Sequence, residues 1–183
     1  MYPDPHSVTR VTSIGAGPIG AGWTAHFLAR GYDVTAYLHD VAETDAFMSI
    51  LNTAWISLTD LGLADGASRD RLRIVTDLNE ALDGAEFVQE SGPERLDVKQ
   101  ALYAKMGTLL RPSVVIGSST SGLMMSDIQA ECPTPERTVI AHPFNPPYLL
   151  PLVEIVGGKK TAPEAVAWAG DFYKIAGEEA RRI

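Results

Sequence analysis

One histidine and one glutamate stand in the stretch AHPFNPPYLLPLVEIVGG, residues 141–158, among prolines and large apolar side chains. An ionised carboxylate in the middle of LVEIV is costly to bury unless a nearby group hydrogen-bonds it or shares its proton. His142, twelve residues before Glu154, is the candidate partner. Working as a pair, His142 would take a hydroxyl proton as general base while hydride leaves the same carbon. Glu154 would hold the imidazole in one tautomer and stabilise the imidazolium. The other reading is a histidine bonded to backbone and a glutamate in water at a sheet edge, and spacing alone leaves the two level.

Further polar groups raise the same choice. The run Ser118-Ser119-Thr120-Ser121 follows a β-prone segment. In open α/β sheets ligands lie beyond the carboxyl ends of the strands, where such hydroxyls could meet a cofactor or substrate. Ser and Thr also cap helices and make turns, which is commoner. Glu94 and Lys99 fall at the start of a helical pattern, where a charged face is usually only solvated.

Gly15-Ala16-Gly17-Pro18-Ile19-Gly20 spells GxGxxG between a short strand and a helix. In that context Gly15 allows a tight turn, Gly17 lets the backbone approach a pyrophosphate, and Gly20 lets helix and strand pack closely. The phosphates would lie against the N–H groups at the helix start. Pro18 suits the first helical turn, where its missing N–H would be unbonded anyway. Eighteen residues beyond Gly20 stands Leu38, which cannot bond a ribose hydroxyl; Asp40, two residues further on the same strand face, could. Asp40 could equally cap the helix that follows, and the two readings stand level.

These groups need elements to position them. β-prone runs fall at 10–14, 33–38, 74–75, 85–89, 113–117, 138–142 and 152–156. Helical periodicity covers 18–30, 41–63, 94–110 and 163–176. Alternating strands and helices with short connections predict a Rossmann-like α/β fold, a doubly wound, mostly parallel sheet with helices on both faces. The prolines of 143–151 limit that loop's alternatives, so strands 138–142 and 152–156 can return side by side. Residues 177–183 stop where another strand is due, and residues 1–8 read as a flexible tail before a domain over 9–183.

Composition excludes several classes. A net charge of -8 without a basic block argues against nucleic acid. No apolar run approaches the roughly 20 residues that cross a bilayer. The start MYPDPHSVTR lacks a basic segment followed by an apolar run, so it does not read as a signal peptide. The single Cys132 and the lack of clustered His/Cys predict no disulfide and no metal, and suit a cytoplasmic setting.

IGAGPIG, QESGPERLDVK, GSSTSG and AHPFNPPYLLPLVEIV together resemble the L-3-hydroxyacyl-CoA dehydrogenase family, in its cofactor-binding domain, from about residue 9 to 177. GSSTSGL and HPFNPPYLLPLVEIVGGKKT are more similar to the carnitine-oxidising branch than to the acyl-CoA enzymes, which more often show SNTSSL and HFFNP; the L-gulonate branch shares HP-x-NPPY. The resemblance implies NAD as cofactor and oxidation of the 3-hydroxyl of a small hydroxy acid, L-carnitine first. His142 matches the catalytic histidine and Glu154 its carboxylate partner, Ser121 a serine contacting substrate and cofactor, and Asn145 a residue lining the nicotinamide site. Glu94 and Lys99 match two dinucleotide contacts, while Leu38 falls where the family usually has its ribose-binding aspartate. Family members continue into a helical second domain that completes the pocket and forms a homodimer, so a chain without it is expected to bind dinucleotide and turn over little. A dinucleotide-binding module without catalysis is the alternative of another class, disfavoured by the presence of both His142 and Glu154. Selection of a quaternary ammonium would use aromatic faces, for which Phe144, Tyr148 and Trp168 are available.

Overall fold

A computed structural model describes residues 2–183. Eight strands form one sheet in the order β3-β2-β1-β4-β5-β6-β7-β8: β1 Arg10–Ile14, β2 Asp33–Tyr37, β3 Leu72–Val75, β4 Phe87–Glu90, β5 Val115–Ser118, β6 Thr138–Pro143, β7 Leu152–Gly157 and β8 Glu179–Arg182. All neighbours are parallel except β6 and β7, which run antiparallel. The helices are α1 Pro18–Ala29, α2 Thr44–Leu61, α3 Leu78–Leu82, α4 Leu96–Leu109, α5 Met125–Ile128 and α6 Pro163–Ile175.

Central strands covered on both faces need apolar side chains at successive positions rather than alternating ones. β4 and β5 are buried throughout, and their neighbouring residues point to opposite cores. Phe87 and Val115 join α1, α2 and α6 in a cluster with Trp23, Phe27, Leu51 and Phe172, whereas Val88 and Ile116 join Tyr103, Met106 and Ile128 on the other face.

Two expectations about the chain ends are corrected. Residues 179–182 do form a strand, β8, pairing with β7 from Leu152↔Glu179 to Ile155↔Arg182. EARR has no apolar alternation to announce it, because it lies at a sheet edge and is held by backbone pairing. Residues 2–8 are not loose: Pro5–Ser7 make a 3₁₀ turn capped by Asp4, and the Trp168 indole donates to the Pro3 carbonyl at 2.6 Å. A smaller shift occurs after β2, where a 3₁₀ turn over Val41–Glu43 precedes α2.

Candidate active site

The glycine turn follows β1 and leads directly into α1. Gly15 has φ +117°, and a Cβ there would lie 2.4 Å from the Ser91 carbonyl oxygen, so only glycine fits. A Cβ on Gly20 would meet the Gly15 carbonyl oxygen at 2.1 Å, which is the close helix–strand approach the motif requires. Gly17 differs: a Cβ there would meet nothing within 4 Å, so its missing side chain leaves open space rather than relieving a clash. Gly17 begins α1 with no side-chain cap, and Pro18 takes the first helical position. With Ala16 and Ile19 half-buried beside them, these residues form a cradle that fits a dinucleotide pyrophosphate against the helix N-terminus.

Hydrogen bonds join the loops at the carboxyl ends of the parallel strands. Ser91 N–H donates to the Ile14 carbonyl and Ser119 N–H to the Glu90 carbonyl, each at 2.8 Å. The Ser91 and Ser119 hydroxyls are themselves 2.8 Å apart. The β6–β7 loop reaches the same edge, since Gly22 in α1 packs so closely on Pro147 that a Cβ would lie 2.9 Å from Pro147 Cγ.

His142 and Glu154 stand directly opposite each other across the antiparallel β6–β7 pair. His142 Nδ1 is 3.0 Å from Glu154 Oε2, with the side chains 31% and 35% exposed. The carboxylate of LVEIV is therefore partnered by the histidine and remains open on one side. Phe144 lies next to the imidazole, ring centroids 6.1 Å apart, and Asn145 is exposed on the following loop.

Ser121 is exposed, and Glu94 organises the backbone around it. Glu94 Oε1 accepts from the Thr120 hydroxyl at 2.6 Å, Ser121 N–H at 3.2 Å and Gly122 N–H at 3.0 Å. Burial alone would raise the Glu94 pKa, but these bonds and the Lys99 charge outweigh it and hold the carboxyl below the usual glutamate range. Lys99 is 1% exposed, and its ammonium donates to Glu90 Oε1 at 2.7 Å. The helix position looked solvated or cofactor-facing, yet the fold turns this side chain beneath the 90–92 loop.

Glu90 was not singled out from the sequence. It is fully buried and accepts from Lys99, from Gly92 N–H at 2.6 Å and from the Ser118 hydroxyl at 2.6 Å. An acid ending the apolar strand FVQE carried the same signal as the one in LVEIV. Asp40 caps the turn that follows: its Oδ1 accepts from Ala42 N–H at 2.8 Å, in a capping box completed by Glu43. Trp168 lies in α6, stacked on Phe172, and among the aromatic candidates only Phe144 stands next to His142.

Residues 10–181 match the family model for the 3-hydroxyacyl-CoA dehydrogenase NAD-binding domain. The chain is 53% identical over 174 residues to an L-carnitine dehydrogenase of Streptomyces coelicolor, covering 95% of this chain and 55% of that one. It is 45% identical over 170 residues to an L-carnitine dehydrogenase of Bacillus cereus, covering 92% and 52%. Among solved structures, Escherichia coli 3-hydroxybutyryl-CoA dehydrogenase superposes with a TM-score of 0.87 at 32% identity, over 96% of this chain and 38% of that one. The chain thus spans about half the length of the curated relatives it matches. Together with the glycine cradle and the His142–Glu154 pair, the match over 10–181 means that this chain belongs to the 3-hydroxyacyl-CoA dehydrogenase family, through its NAD-binding domain.

Proposed function

We propose that this chain is the dinucleotide-binding part of an NAD-dependent dehydrogenase that oxidises the 3-hydroxyl of L-carnitine to 3-dehydrocarnitine, ahead of L-gulonate or an L-3-hydroxyacyl-CoA. The observation that carries this reading is the 3.0 Å contact between His142 Nδ1 and Glu154 Oε2 at the sheet edge that also holds the glycine cradle. An ionised carboxylate only accepts, so the contact calls for a proton on Nδ1, and the neutral tautomer that makes it has its lone pair on Nε2. His142 Nε2 takes the hydroxyl proton, and Glu154 stabilises the imidazolium that results. NAD, when bound, supplies the acceptor for the hydride leaving the carbinol carbon. The N–H groups at the start of α1 bind and orient the pyrophosphate, while Ser121 and Asn145 are assigned to the substrate and nicotinamide sides.

L-carnitine is favoured by the names of the relatives and by Phe144, whose exposed ring beside His142 offers a face to a quaternary ammonium. No helix among the described residues is long and apolar enough to cross a membrane. A homodimer is the assembly the family reading implies.

The test is titration of the chain with NADH, then NADH formation from L-carnitine, L-gulonate and 3-hydroxybutyryl-CoA in the presence of NAD. Saturable NADH binding is expected, with little turnover by this chain and its residual NADH formation highest on L-carnitine. His142→Gln should abolish NADH formation and leave NADH binding in place. Absence of NADH binding overturns the dinucleotide reading; preference for another alcohol overturns the carnitine assignment alone.

A further inference from the structure

In a doubly wound dinucleotide site, an acid about 20 residues beyond the glycine loop accepts from the adenosine ribose 2′-OH. The same charge repels the 2′-phosphate of NADP, so one carboxylate both attracts one cofactor and excludes the other. Gly15 N–H donates to the Tyr37 carbonyl at 3.1 Å, which puts residue 38 beside the glycine turn as the first residue beyond β2. That residue is Leu38, 0% exposed and in the same buried cluster as Phe47 and Leu51. Its N–H donates to the Val75 carbonyl at 3.0 Å, so the backbone continues in line with β3 while the side chain belongs to the core.

The acids further along are committed to their own turn. Asp40 accepts from Ala42 N–H at 2.8 Å, and Glu43 Oε2 accepts from His39 N–H at 3.0 Å and Asp40 N–H at 3.3 Å. Both carboxylates are aimed at the N-terminus of the 3₁₀ turn, where they satisfy N–H groups that lack intrahelical partners. Residues 37–44, YLHDVAET, contain neither lysine nor arginine, so the segment also lacks the cation that marks a dedicated 2′-phosphate site.

Building on the dinucleotide reading above, we infer that Leu38 removes the ribose-reading carboxylate, so that this chain accepts NADP(H) as well as NAD(H) with little discrimination between them. A charge-assisted hydrogen bond to a hydroxyl is worth roughly 10- to 100-fold in affinity, which NAD(H) forgoes here. The electrostatic exclusion of the 2′-phosphate is lost with it.

The experiment measures NADH and NADPH dissociation constants on the 183-residue chain by calorimetry in phosphate-free buffer. The two are expected to lie within about tenfold of each other. Leu38→Asp should open the ratio to about 100-fold in favour of NADH, by restoring the bond and the repulsion together. Because position 38 is in the core, its circular dichroism is compared with the parent chain. Asp40→Asn, which keeps a capping side chain, decides the matter if that variant does not fold: it should shift the ratio by less than about threefold. NADH binding about 100-fold tighter than NADPH in the parent chain, or a tenfold loss of NADH affinity in Asp40→Asn, overturns the inference alone. Failure of both dinucleotides to bind overturns the proposed function as well.

Discussion

His26 and Glu178 meet inside the protein, Nε2 to Oε1 at 3.3 Å, with the two side chains 3% and 1% exposed. His26 Nε2 also faces the Ala176 carbonyl at 2.8 Å, and neither Glu178 oxygen has a hydrogen-bond partner among the described residues. Burial pushes His26 down to about 4, against the bond to Ala176, and burial pushes Glu178 up to about 8, against the Arg30 charge. The pair thus joins α1 to the turn before β8 in a largely uncharged state.

The pH dependence of stability follows from those directions. Glu178 contributes stability that is complete below its unfolded value of 4.5 and is lost as pH rises through about 8. His26 contributes stability that is complete above 6.5 and is lost as pH falls through about 4. Between 4.5 and 6.5 the two slopes cancel, so urea midpoints should form a plateau there and decline from pH 6.5 to 8. Glu178→Gln should flatten the alkaline decline; a decline identical in that variant would show that another group causes it.

Two glycines of one motif should respond oppositely to alanine. Gly20→Ala forces a Cβ against backbone at 2.1 Å, so it should lower stability by about 2 kcal/mol or more. Gly17→Ala meets nothing within 4 Å and has φ −72°, so its melting temperature should stay within about two degrees of the parent value. NADH affinity should nonetheless fall about tenfold, because the methyl enters the space left for the pyrophosphate. Undiminished NADH binding by Gly17→Ala would take the cradle away from the dinucleotide.

Lys99 and Glu90 form a buried ion pair at 2.7 Å, so removing one partner strands the other charge. Lys99→Met should cost about 3 kcal/mol in denaturant unfolding, and adding Glu90→Gln should recover much of it. Equal losses in the single and double variants would mean that the lysine's packing, not its charge, holds the 90–92 loop.

In the proposed reading Glu154 acts through His142, so its replacement should separate rate from binding. Glu154→Gln should lower kcat by about 100-fold with KM changed less than about threefold, because the imidazolium loses its counter-charge while the substrate contacts stay. A change in KM alone would give Glu154 a binding role instead.

The amino-acid sequence by itself determined what depends on neighbours along the chain. The glycine cradle was legible because GxGxxG falls between a strand and a helix within a few residues, although only Gly20 meets its steric limit locally, at the Gly15 carbonyl; the limit on Gly15 comes from Ser91. The His142–Glu154 pair was half legible: a proline-bounded loop allowed the two strands to lie side by side, spacing left pair and non-pair level, and the antiparallel register put the two residues opposite each other. Tertiary structure decided whatever depended on side-chain direction or distant partners. Asp40 could cap or bind, and the turn over Val41–Glu43 made it a cap; Lys99 could face solvent, and the buried charge of Glu90 drew it inward. β8 was invisible in EARR because an edge strand is held by backbone hydrogen bonds to β7, which leave no pattern in the side chains.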